Sequence, residues 1–291
     1  MGDRAEVHRI DSNTTMYGVI GDPILHSKSP IMLNRAFREM GVNAAYSAYH
    51  VTVGQLGDAI RGFRALSFGG VNVTIPHKLE VMAFLDEIDE DARLIGAVNT
   101  IVNREGRLIG YNTDGIGYVR SLLEETGFQA KGKRILMIGA GGAARGVTYA
   151  LARQEPSVIW IANRTREKAV ELAHSLSEYA ECQGIGLDEL DGVDAVDLIV
   201  NNTPSGMHPH IDELPVEEAW IERHIDASVT VSDLIYNPRE TKLLRLSAAR
   251  GARTHSGLGM FIHQGAYAFE YWTGLKAPIQ AMRETVEQAL L

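Results

Sequence analysis

One stretch near the middle of the chain constrains the fold more than any other, because an apolar run ends directly in glycines. Residues 134–138 read Arg-Ile-Leu-Met-Ile, and residues 139–146 read Gly-Ala-Gly-Gly-Ala-Ala-Arg-Gly before a helical pattern begins. A continuous apolar run is typical of a strand buried on both faces of a parallel sheet. Gly139 permits a tight turn, Gly141 allows close approach of the backbone, and Ala144 lets the helix pack on the strand. The sequence predicts a strand, turn and helix that bind a pyrophosphate at the helix N-terminus.

A second apolar strand, over residues 157–162, predicts which dinucleotide binds. Arg164 stands just past its end, and Arg166 and Lys168 follow. At this place a carboxylate contacts the ribose 2′-hydroxyl of NAD, whereas an arginine accommodates the 2′-phosphate of NADP. The strand end carries no carboxylate, so NADP is favoured. Three cations on a merely solvated helix start are a poor alternative, because cations in a first turn oppose the helix dipole. The residues predicted to bind the cofactor here are Gly139, Ala140, Gly141, Gly142, Ala143, Asn163, Arg164, Thr165 and Lys168.

Composition narrows the classes of protein. With 291 residues, 45% of them hydrophobic, the chain is more naturally two domains than one. A formal net charge of -9 without a basic run argues against nucleic acid and membrane surfaces as partners. Cys182 is the only cysteine, so we expect no internal disulfide and a reducing, cytoplasmic location. No metal site is predicted. Residues 1–14 lack the apolar core of a signal peptide and are expected to form a loose arm.

Two serines follow the first predicted strand, over residues 16–21. Ser29 precedes Pro30, which predicts a helix N-cap followed by proline at the first helical position. Ser27 is not predicted to cap the helix. Two hydroxyls beside a helix start are suited to binding a carboxylate.

Polar side chains also stand in and after a predicted strand over residues 70–75. Asn72 and Thr74 share one face of that strand, and Lys78 lies just past its end. Polar residues within an apolar strand indicate a site; Lys78 alone would read as a solvated helix start. The opposite face is expected to comprise Val71, Val73 and Ile75.

Two further segments bring polar residues to the same edge. A strand-like run over residues 94–102 carries Asn99, a hairpin turn is predicted at 104–107, and Asp114 is expected to cap a helix over 116–125. Because ligands bind where the strands of an open α/β sheet end, we expect these side chains to form one site.

The rest of the chain predicts alternating helices and strands. Helices are predicted over 53–66, 167–179, 241–250, 261–274 and 279–290, and strands over 45–51, 197–201 and 229–236. The strand over 229–236 is expected to be the last strand of its domain. The segment after residue 179 is expected to be irregular, and residues 257–260 are expected to cross back to the first domain. The final helix is expected to pack on that domain.

Seven motifs occur in the order and spacing of the shikimate dehydrogenase family. They span residues 26–30, 72–78, 96–100, 110–115, 139–146, 163–165 and 257–264. From Tyr17 to its end the chain resembles that family. The resemblance implies reversible, NADP-dependent reduction of 3-dehydroshikimate to shikimate.

The resemblance also implies roles for single residues. Lys78 and Asp114 match the catalytic pair. The residues that match substrate contacts are Ser27, Ser29, Asn72, Thr74, Asn99, Tyr236 and Gln264. Those that match further cofactor contacts are Thr203, Gly257, Gly259 and Met260. The residue types agree with the chemistry, because hydride transfer to a ketone leaves an alkoxide, and an ammonium held against a carboxylate supplies both a proton and positive charge.

The fold class predicted is α/β in two domains. A small substrate-binding domain comprises residues 1–114 and 258–291, and a doubly wound Rossmann-type domain that binds NADP comprises residues 115–257. The active site lies in the cleft, and two chain crossings form a hinge. Two alternatives stay open: a dehydrogenase that also accepts quinate or an aminated analogue, and a non-catalytic metabolite sensor, which would have lost the acid–base pair. A small-molecule substrate is expected, and a homodimer is possible.

Overall fold

The computed structural model describes residues 10–193 and 195–290. These residues form two six-stranded sheets flanked by helices. The strands are β1 (Thr15–Gly21), β2 (Ala44–His50), β3 (Gly70–Val73), β4 (Glu87–Ile88), β5 (Thr100–Arg104), β6 (Arg107–Tyr111), β7 (Arg134–Ile138), β8 (Val158–Asn163), β9 (Cys182–Gly186), β10 (Leu198–Asn201), β11 (Thr230–Asp233) and β12 (Arg253–His255). The helices are α1 (Ser29–Glu39), α2 (Leu56–Ala65), α3 (Glu90–Ile95), α4 (Asp114–Thr126), α5 (Gly142–Ala152), α6 (Arg166–Ser175), α7 (Glu218–His224), α8 (Lys242–Ala249), α9 (Gly257–Thr273) and α10 (Ile279–Gln288).

The first sheet has the order β2-β1-β3-β5-β6-β4. Strands β2, β1 and β3 run parallel, and β5 and β6 form the predicted antiparallel hairpin. Helices α1, α9 and α10 cover one face, where Phe37, Phe269 and Met282 are completely buried. Leu56 and Ile60 of α2 cover the other face. Because β1 and β3 are parallel neighbours, the loops that follow them lie side by side at one edge.

The second sheet is entirely parallel, with the order β12-β11-β10-β7-β8-β9. Ile135 and Met137 of its central strand β7 pack into one helical layer, and Leu136 and Ile138 pack into the other. The prediction of a strand buried on both faces is confirmed. This strand order and the helices on both faces confirm the doubly wound α/β fold.

Helices α4 and α9, which join the two sheets, pack unusually close together. A Cβ added to Gly117 would lie 2.8 Å from the backbone nitrogen of Gln264, and one added to Gly259 would lie 2.0 Å from Ser121 Oγ. Only glycine fits at these two positions without a shift. Both chain crossings therefore run through one tight helix pair.

The last helix packs on the first sheet, as predicted. Met282 and Val286 of α10 are fully buried in the cluster that contains Phe37.

Two strands of the second sheet were not predicted from the sequence. The segment after residue 179 is not irregular throughout but forms β9, and β12 rather than β11 ends the other side of the sheet. Both are edge strands with exposed positions, so neither shows the continuous apolar run that marks a central strand.

The strand-like run predicted over residues 94–102 is wrong in its first part. Residues 90–95 form helix α3, and only Thr100 onward is strand. Asp89 caps α3 by accepting a hydrogen bond from the backbone nitrogen of Asp91, and Gly96 ends it in the left-handed region, with φ of 71°. An acidic start and a C-terminal glycine are the signals that could have identified this helix.

Three smaller expectations also need correction. Residues 257–260 are the first turn of α9 rather than a crossing loop. Ile75 is 67% exposed because β3 ends at Val73 and a turn follows it. The expected loose arm falls mostly on residues 1–9, outside the described residues, but Thr14 Oγ1 donates to Asn43 Oδ1 at 2.9 Å, so the end of the arm is held. Among the described residues, none of the helices has the length and apolar character needed to span a membrane.

Candidate active site

The two predicted catalytic side chains meet in a buried ion pair. Lys78 Nζ lies 2.5 Å from Asp114 Oδ2, and the two residues are 9% and 4% exposed. The turn after β3 supplies Lys78, whose carbonyl accepts from the backbone nitrogen of Val98 at 2.8 Å. The expectation that Asp114 caps a helix is wrong. It is the first residue of α4, and its side chain binds Lys78 and Asn99 instead of a backbone N–H of that helix.

Asn99 holds the far side of this carboxylate. Its Nδ2 donates to Asp114 Oδ1 at 2.8 Å, while its Oδ1 accepts from the backbone nitrogen of Thr113 at 2.8 Å and from Thr100 Oγ1 at 3.0 Å. Thr113 Oγ1 also donates to the carbonyl of Gln264 at 3.1 Å. Asn99 is therefore fixed in orientation, and through Thr113 it ties the Asp114 carboxylate to helix α9.

The serine pair lies beside the start of α1, but the capping prediction is wrong. Ser29 is the first helical residue and makes no capping bond, whereas Ser27 Oγ accepts from the backbone nitrogen of Ser29 at 3.2 Å. Thr74 adjoins this loop, since a Cβ on Gly21 would lie 2.5 Å from Thr74 Cγ2. The three hydroxyls predicted to bind substrate thus gather at the ends of β1 and β3.

Tyr236 and Gln264 approach the same place from the second half of the chain. The ring of Tyr236 stacks on Phe261 with centroids 4.3 Å apart, and its hydroxyl bonds to the backbone of Lys28, between the two serines. Burial raises the pKa of Tyr236. Gln264 is half-buried, and its Nε2 donates to the carbonyl of Phe261 at 2.8 Å.

The glycine turn lies close to Lys78. Gly139 adopts φ of 107°, and Gly141 is the residue before α5. A Cβ on Gly142 would lie 3.7 Å from Lys78 Cβ. The first turn of α5 carries no acidic side chain, so its free N–H groups can receive an anion. These residues fit a dinucleotide that binds at the start of α5, close to the predicted catalytic pair.

A buried carboxylate organises the neighbouring loops of the second sheet. Asp233 is fully buried and accepts from the backbone nitrogen of Ile235, from Thr241 Oγ1 and from Asn201 Nδ2, at 3.0, 2.8 and 3.2 Å. Asn201 Oδ1 in turn accepts from the nitrogen and hydroxyl of Thr203 at 3.0 and 2.7 Å. Burial raises the pKa of Asp233 to about 6. This network fixes the loop that carries Thr203.

The predicted phosphate-binding cations differ in their surroundings. Arg164 and Lys168 are exposed, and no described carboxylate pairs with either. Arg166 is also exposed, but its Nε lies 2.8 Å from Glu189 Oε2. Asn163 Nδ2 donates to the carbonyl of Thr165 at 2.8 Å, which shapes the turn. Arg164 and Lys168 are thus the cations left open to a ligand.

Gly257, Gly259 and Met260 lie in the first turn of α9. A Cβ on Gly257 would lie 2.0 Å from the carbonyl oxygen of Leu234, so this glycine permits close packing beside β11. Gly259 packs against α4, and Met260 is buried in the core beneath the second sheet. The predicted cofactor contacts of these three residues stay a prediction.

The sequence analysis missed five polar residues of this site: Tyr46, Thr100, Thr113, Asn201 and Asp233. Asn201 and Asp233 stand at strand ends in the second sheet, a position that could have marked them. Tyr46 carries no such signal, because it lies within β2. Among the described residues, no group of three or more His, Cys, Asp or Glu is placed to hold a metal ion.

Family comparisons cover most of the chain. The model of the shikimate dehydrogenase substrate-binding domain matches residues 19–101, the shikimate/quinate 5-dehydrogenase model matches 121–246, and the shikimate 5′-dehydrogenase C-terminal domain matches 257–287. Similar proteins include the shikimate dehydrogenase (NADP+) of Geobacillus kaustophilus, which is 50% identical over 94% of this chain and 98% of the relative. The corresponding protein of Methanopyrus kandleri is 47% identical over 97% and 98%.

The comparison with solved structures indicates the same family. A crystal structure of a shikimate dehydrogenase in complex with NADP+ superimposes with a TM-score of 0.89 at 46% identity, covering 97% of this chain and 98% of its own. The resemblance found in the motifs is confirmed: this chain belongs to the shikimate dehydrogenase family.

Proposed function

We propose that this protein is an oxidoreductase that catalyses the reversible, NADP-dependent reduction of 3-dehydroshikimate to shikimate. The observation that carries the proposal is the buried Lys78–Asp114 pair, held at 2.5 Å directly beside the glycine turn at Gly142. This arrangement puts a proton donor next to the place where a dinucleotide fits. The relatives named above carry the same activity in their names.

Lys78 supplies the proton. NADPH, when bound, supplies a hydride to the carbonyl carbon of the substrate. The alkoxide oxygen that results needs a proton and a nearby positive charge. The Lys78 ammonium can donate the proton and stabilise the developing negative charge, and this effect is strong because the pair is buried away from water. In the oxidising direction Lys78 accepts the proton of the substrate hydroxyl.

Asp114 orients the lysine and offsets its charge. Because Asn99 donates to the other carboxylate oxygen, Asp114 keeps one face toward Lys78. We assign Asp114 and Lys78 to catalysis and Asn99 to holding the carboxylate and contacting substrate.

The polar edge of the first sheet fits the rest of the substrate. We assign Ser27 and Ser29, beside the start of α1, to the substrate carboxylate, and Asn72 in β3 and Thr74 just past its end to the substrate ring. Tyr236 reaches this loop from the other sheet. Gln264 is assigned to the same pocket on α9.

The second sheet binds the cofactor. The N–H groups at the start of α5 receive the pyrophosphate, and Thr203 lies beside Gly139, where a Cβ would lie 3.1 Å from Thr203 Cγ2. Arg164, supported by Lys168, pairs with the 2′-phosphate.

We divide the chain into a substrate-binding domain, residues 1–114 and 258–291, and a cofactor domain, residues 115–257. The two sheets and the α4–α9 pair between them support this division. A cytoplasmic location is proposed because a single half-buried cysteine fits a reducing compartment. A homodimer stays a prediction that light scattering on the purified protein would test.

Selectivity for shikimate over quinate is also proposed. Quinate has a tetrahedral, hydroxyl-bearing carbon next to its carboxylate, whereas shikimate is planar there. A pocket shaped for the planar acid must move or lose a contact to admit quinate.

The decisive experiment measures steady-state kcat/KM for shikimate and quinate, each with NADP and NAD. We expect shikimate with NADP to be the preferred pair. Comparable kcat/KM for the two acids would favour the broader quinate/shikimate enzyme, and no turnover with any pair would favour the metabolite sensor.

A further inference from the structure

Tyr46 lies behind the proposed substrate pocket, on β2. It is 4% exposed, and its hydroxyl lies 2.7 Å from Asn72 Oδ1. Asn34 fixes its backbone, because Asn34 Oδ1 accepts from the nitrogen of Tyr46 at 2.9 Å and Asn34 Nδ2 donates to its carbonyl at 2.8 Å. The hydroxyl is thus presented to Asn72 by a well-anchored strand.

The hydrogen bonds around Asn72 determine which way its amide points. One side faces the backbone carbonyl of Asn99 at 3.2 Å, and a carbonyl can only accept, so this side must be Nδ2. The same Nδ2 donates to Thr100 Oγ1 at 3.1 Å. The other side is therefore Oδ1, and Tyr46 must be the donor to it.

We propose that Tyr46 is a positioning residue for substrate binding, whose hydroxyl holds the Asn72 amide so that its oxygen accepts a hydrogen bond from a ring hydroxyl of the substrate. The inference rests on the proposed function of the site. Both protons of Asn72 Nδ2 are used within the protein, whereas Oδ1 has a second lone pair. Asn72 therefore recognises a hydroxyl of the substrate and not the carbonyl that is reduced.

The effect of Tyr46 should stay within the substrate pocket, at Asn72 and at Ser29, whose hydroxyl also bonds to that of Tyr46. Four hydrogen bonds separate Tyr46 from the catalytic carboxylate, through Asn72, Thr100 and Asn99. Asn99 keeps its bond from the backbone nitrogen of Thr113 whether or not Tyr46 is present. Removing the tyrosine hydroxyl should therefore weaken substrate binding without disturbing proton transfer at Lys78.

The first test compares Tyr46→Phe with wild type in shikimate oxidation with NADP. We expect the KM for shikimate to rise about tenfold, because the Asn72 amide is then held only through Nδ2 and its oxygen must be ordered when substrate binds, with kcat within about twofold and an unchanged pH profile of kcat. The KM for NADP should not change. An unchanged KM for shikimate would overturn the proposal, as would a loss confined to kcat.

Tyr17→Phe is the matched control. Tyr17 is also buried, and its ring and that of Tyr46 both pack near Trp272, with centroids 4.9 and 6.1 Å away. A Cβ on Gly69 would lie 2.5 Å from the Tyr17 hydroxyl, so this hydroxyl faces Gly69. Tyr17→Phe should leave the KM for shikimate unchanged. An equal rise in both variants would show that any lost hydroxyl in this cluster disturbs the pocket, and the proposal would be wrong.

A double-variant cycle separates positioning from a structural role. Asn72→Leu replaces the amide by an apolar group of similar shape, so Tyr46→Phe added to it should raise KM and lower Tm by clearly less than it does in wild type. Any rise in KM that remains measures the bond between Tyr46 and Ser29. Additive KM effects would show that Tyr46 acts independently of Asn72. The Tm of every variant is measured as well. If Tyr46→Phe alone folds poorly, the comparison is made between Asn72→Leu and the double variant. Absence of shikimate oxidation in wild type would instead refute the proposed function.

Discussion

The two sheets present their ligand-binding edges in opposite ways. At the first sheet, Lys78, Asp114, Asn72 and Asn99 are each at most 9% exposed, and hydrogen bonds within the protein hold all four side chains. At the second sheet, the cations proposed to bind the phosphate are exposed and bind nothing within the described protein. Groups that transfer a proton benefit from a fixed, dry setting, whereas a charge that distinguishes two cofactors can act from the surface.

Loss of Lys78 should give the largest effect. We expect Lys78→Ala to lower kcat by roughly 10²- to 10⁴-fold with a much smaller change in KM, because a positioned acid–base group is lost. Steady-state assays in both directions measure this. Lys131→Ala is the control, since Lys131 is 78% exposed and pairs with Glu155 at the surface. Near-wild-type turnover of Lys78→Ala would remove Lys78 from catalysis.

The serine loop should affect substrate binding rather than turnover. Ser27→Ala removes a hydrogen bond to a carboxylate, which is worth about 1.5 to 3 kcal/mol when one partner is charged. We therefore expect a raised KM for shikimate at an unchanged KM for NADP. A variant that loses cofactor affinity instead would move this loop out of the substrate pocket.

The exposed cation should distinguish the two cofactors. Because NAD lacks the 2′-phosphate, Arg164→Ala should raise the KM for NADP about tenfold, equal to about 1.4 kcal/mol, and leave the KM for NAD unchanged. Added salt should weaken the wild-type preference for NADP, since the site is exposed.

The neighbouring arginine provides the control for that experiment. Arg166→Ala should have little effect, because Glu189 already pairs with Arg166. An unchanged NADP to NAD ratio of kcat/KM in Arg164→Ala, or a wild type that prefers NAD, would contradict the assignment.

The smallest effect should come from His255, at the junction between the sheets. Its ring nitrogens lie 2.8 Å from Ser232 Oγ and 2.7 Å from Ser121 Oγ, joining β12 to β11 and to α4. Burial, and then the charge of Arg283, lower the pKa of His255 to about 4 from the ordinary 6.5. Protonation of His255 is therefore less favourable in the folded than in the unfolded protein. The contribution of the neutral ring to the free energy of unfolding is complete above pH 6.5 and is lost as pH falls toward 4.

Thermal melts between pH 4 and 7.5 test this. Over that range the Tm of His255→Gln should fall less steeply with decreasing pH than that of wild type. Asp233 acts in the opposite sense: its pKa is raised from 3.8 to about 6, so its contribution is lost as pH rises through 6. Asp233→Asn should make the acid-side fall steeper. Parallel curves for wild type and His255→Gln would contradict the assignment.

Sequence patterns identified elements with one dominant signal. Strand β7 was predictable because its residues are apolar on both faces, and the start of α1 because Pro30 fits a first helical turn. The N-cap position was not predictable, because Ser27 and Ser29 are both good caps, whereas the backbone path puts Lys28 at the N-cap and leaves Ser27 Oγ to accept from the backbone nitrogen of Ser29. Helix α3 was missed because Leu94 and Ile95 at its end are followed after one glycine by the apolar Ala97 and Val98, so the segment resembles a strand.

The sequence by itself determined the buried parallel strand with its glycine turn and the family motifs, since each depends on residues close together in the chain, and it predicted most of the polar side chains of the candidate site. Only the tertiary structure decided how those side chains are paired. Lys78 and Asp114 are 36 residues apart, Tyr46 and Asn72 are 26 apart, and Asn201 and Asp233 are 32 apart. No local pattern specifies such bonds, because strand order and register bring the partners together. The burial that makes the pairs strong likewise exists only once both sheets and the α4–α9 pair have packed.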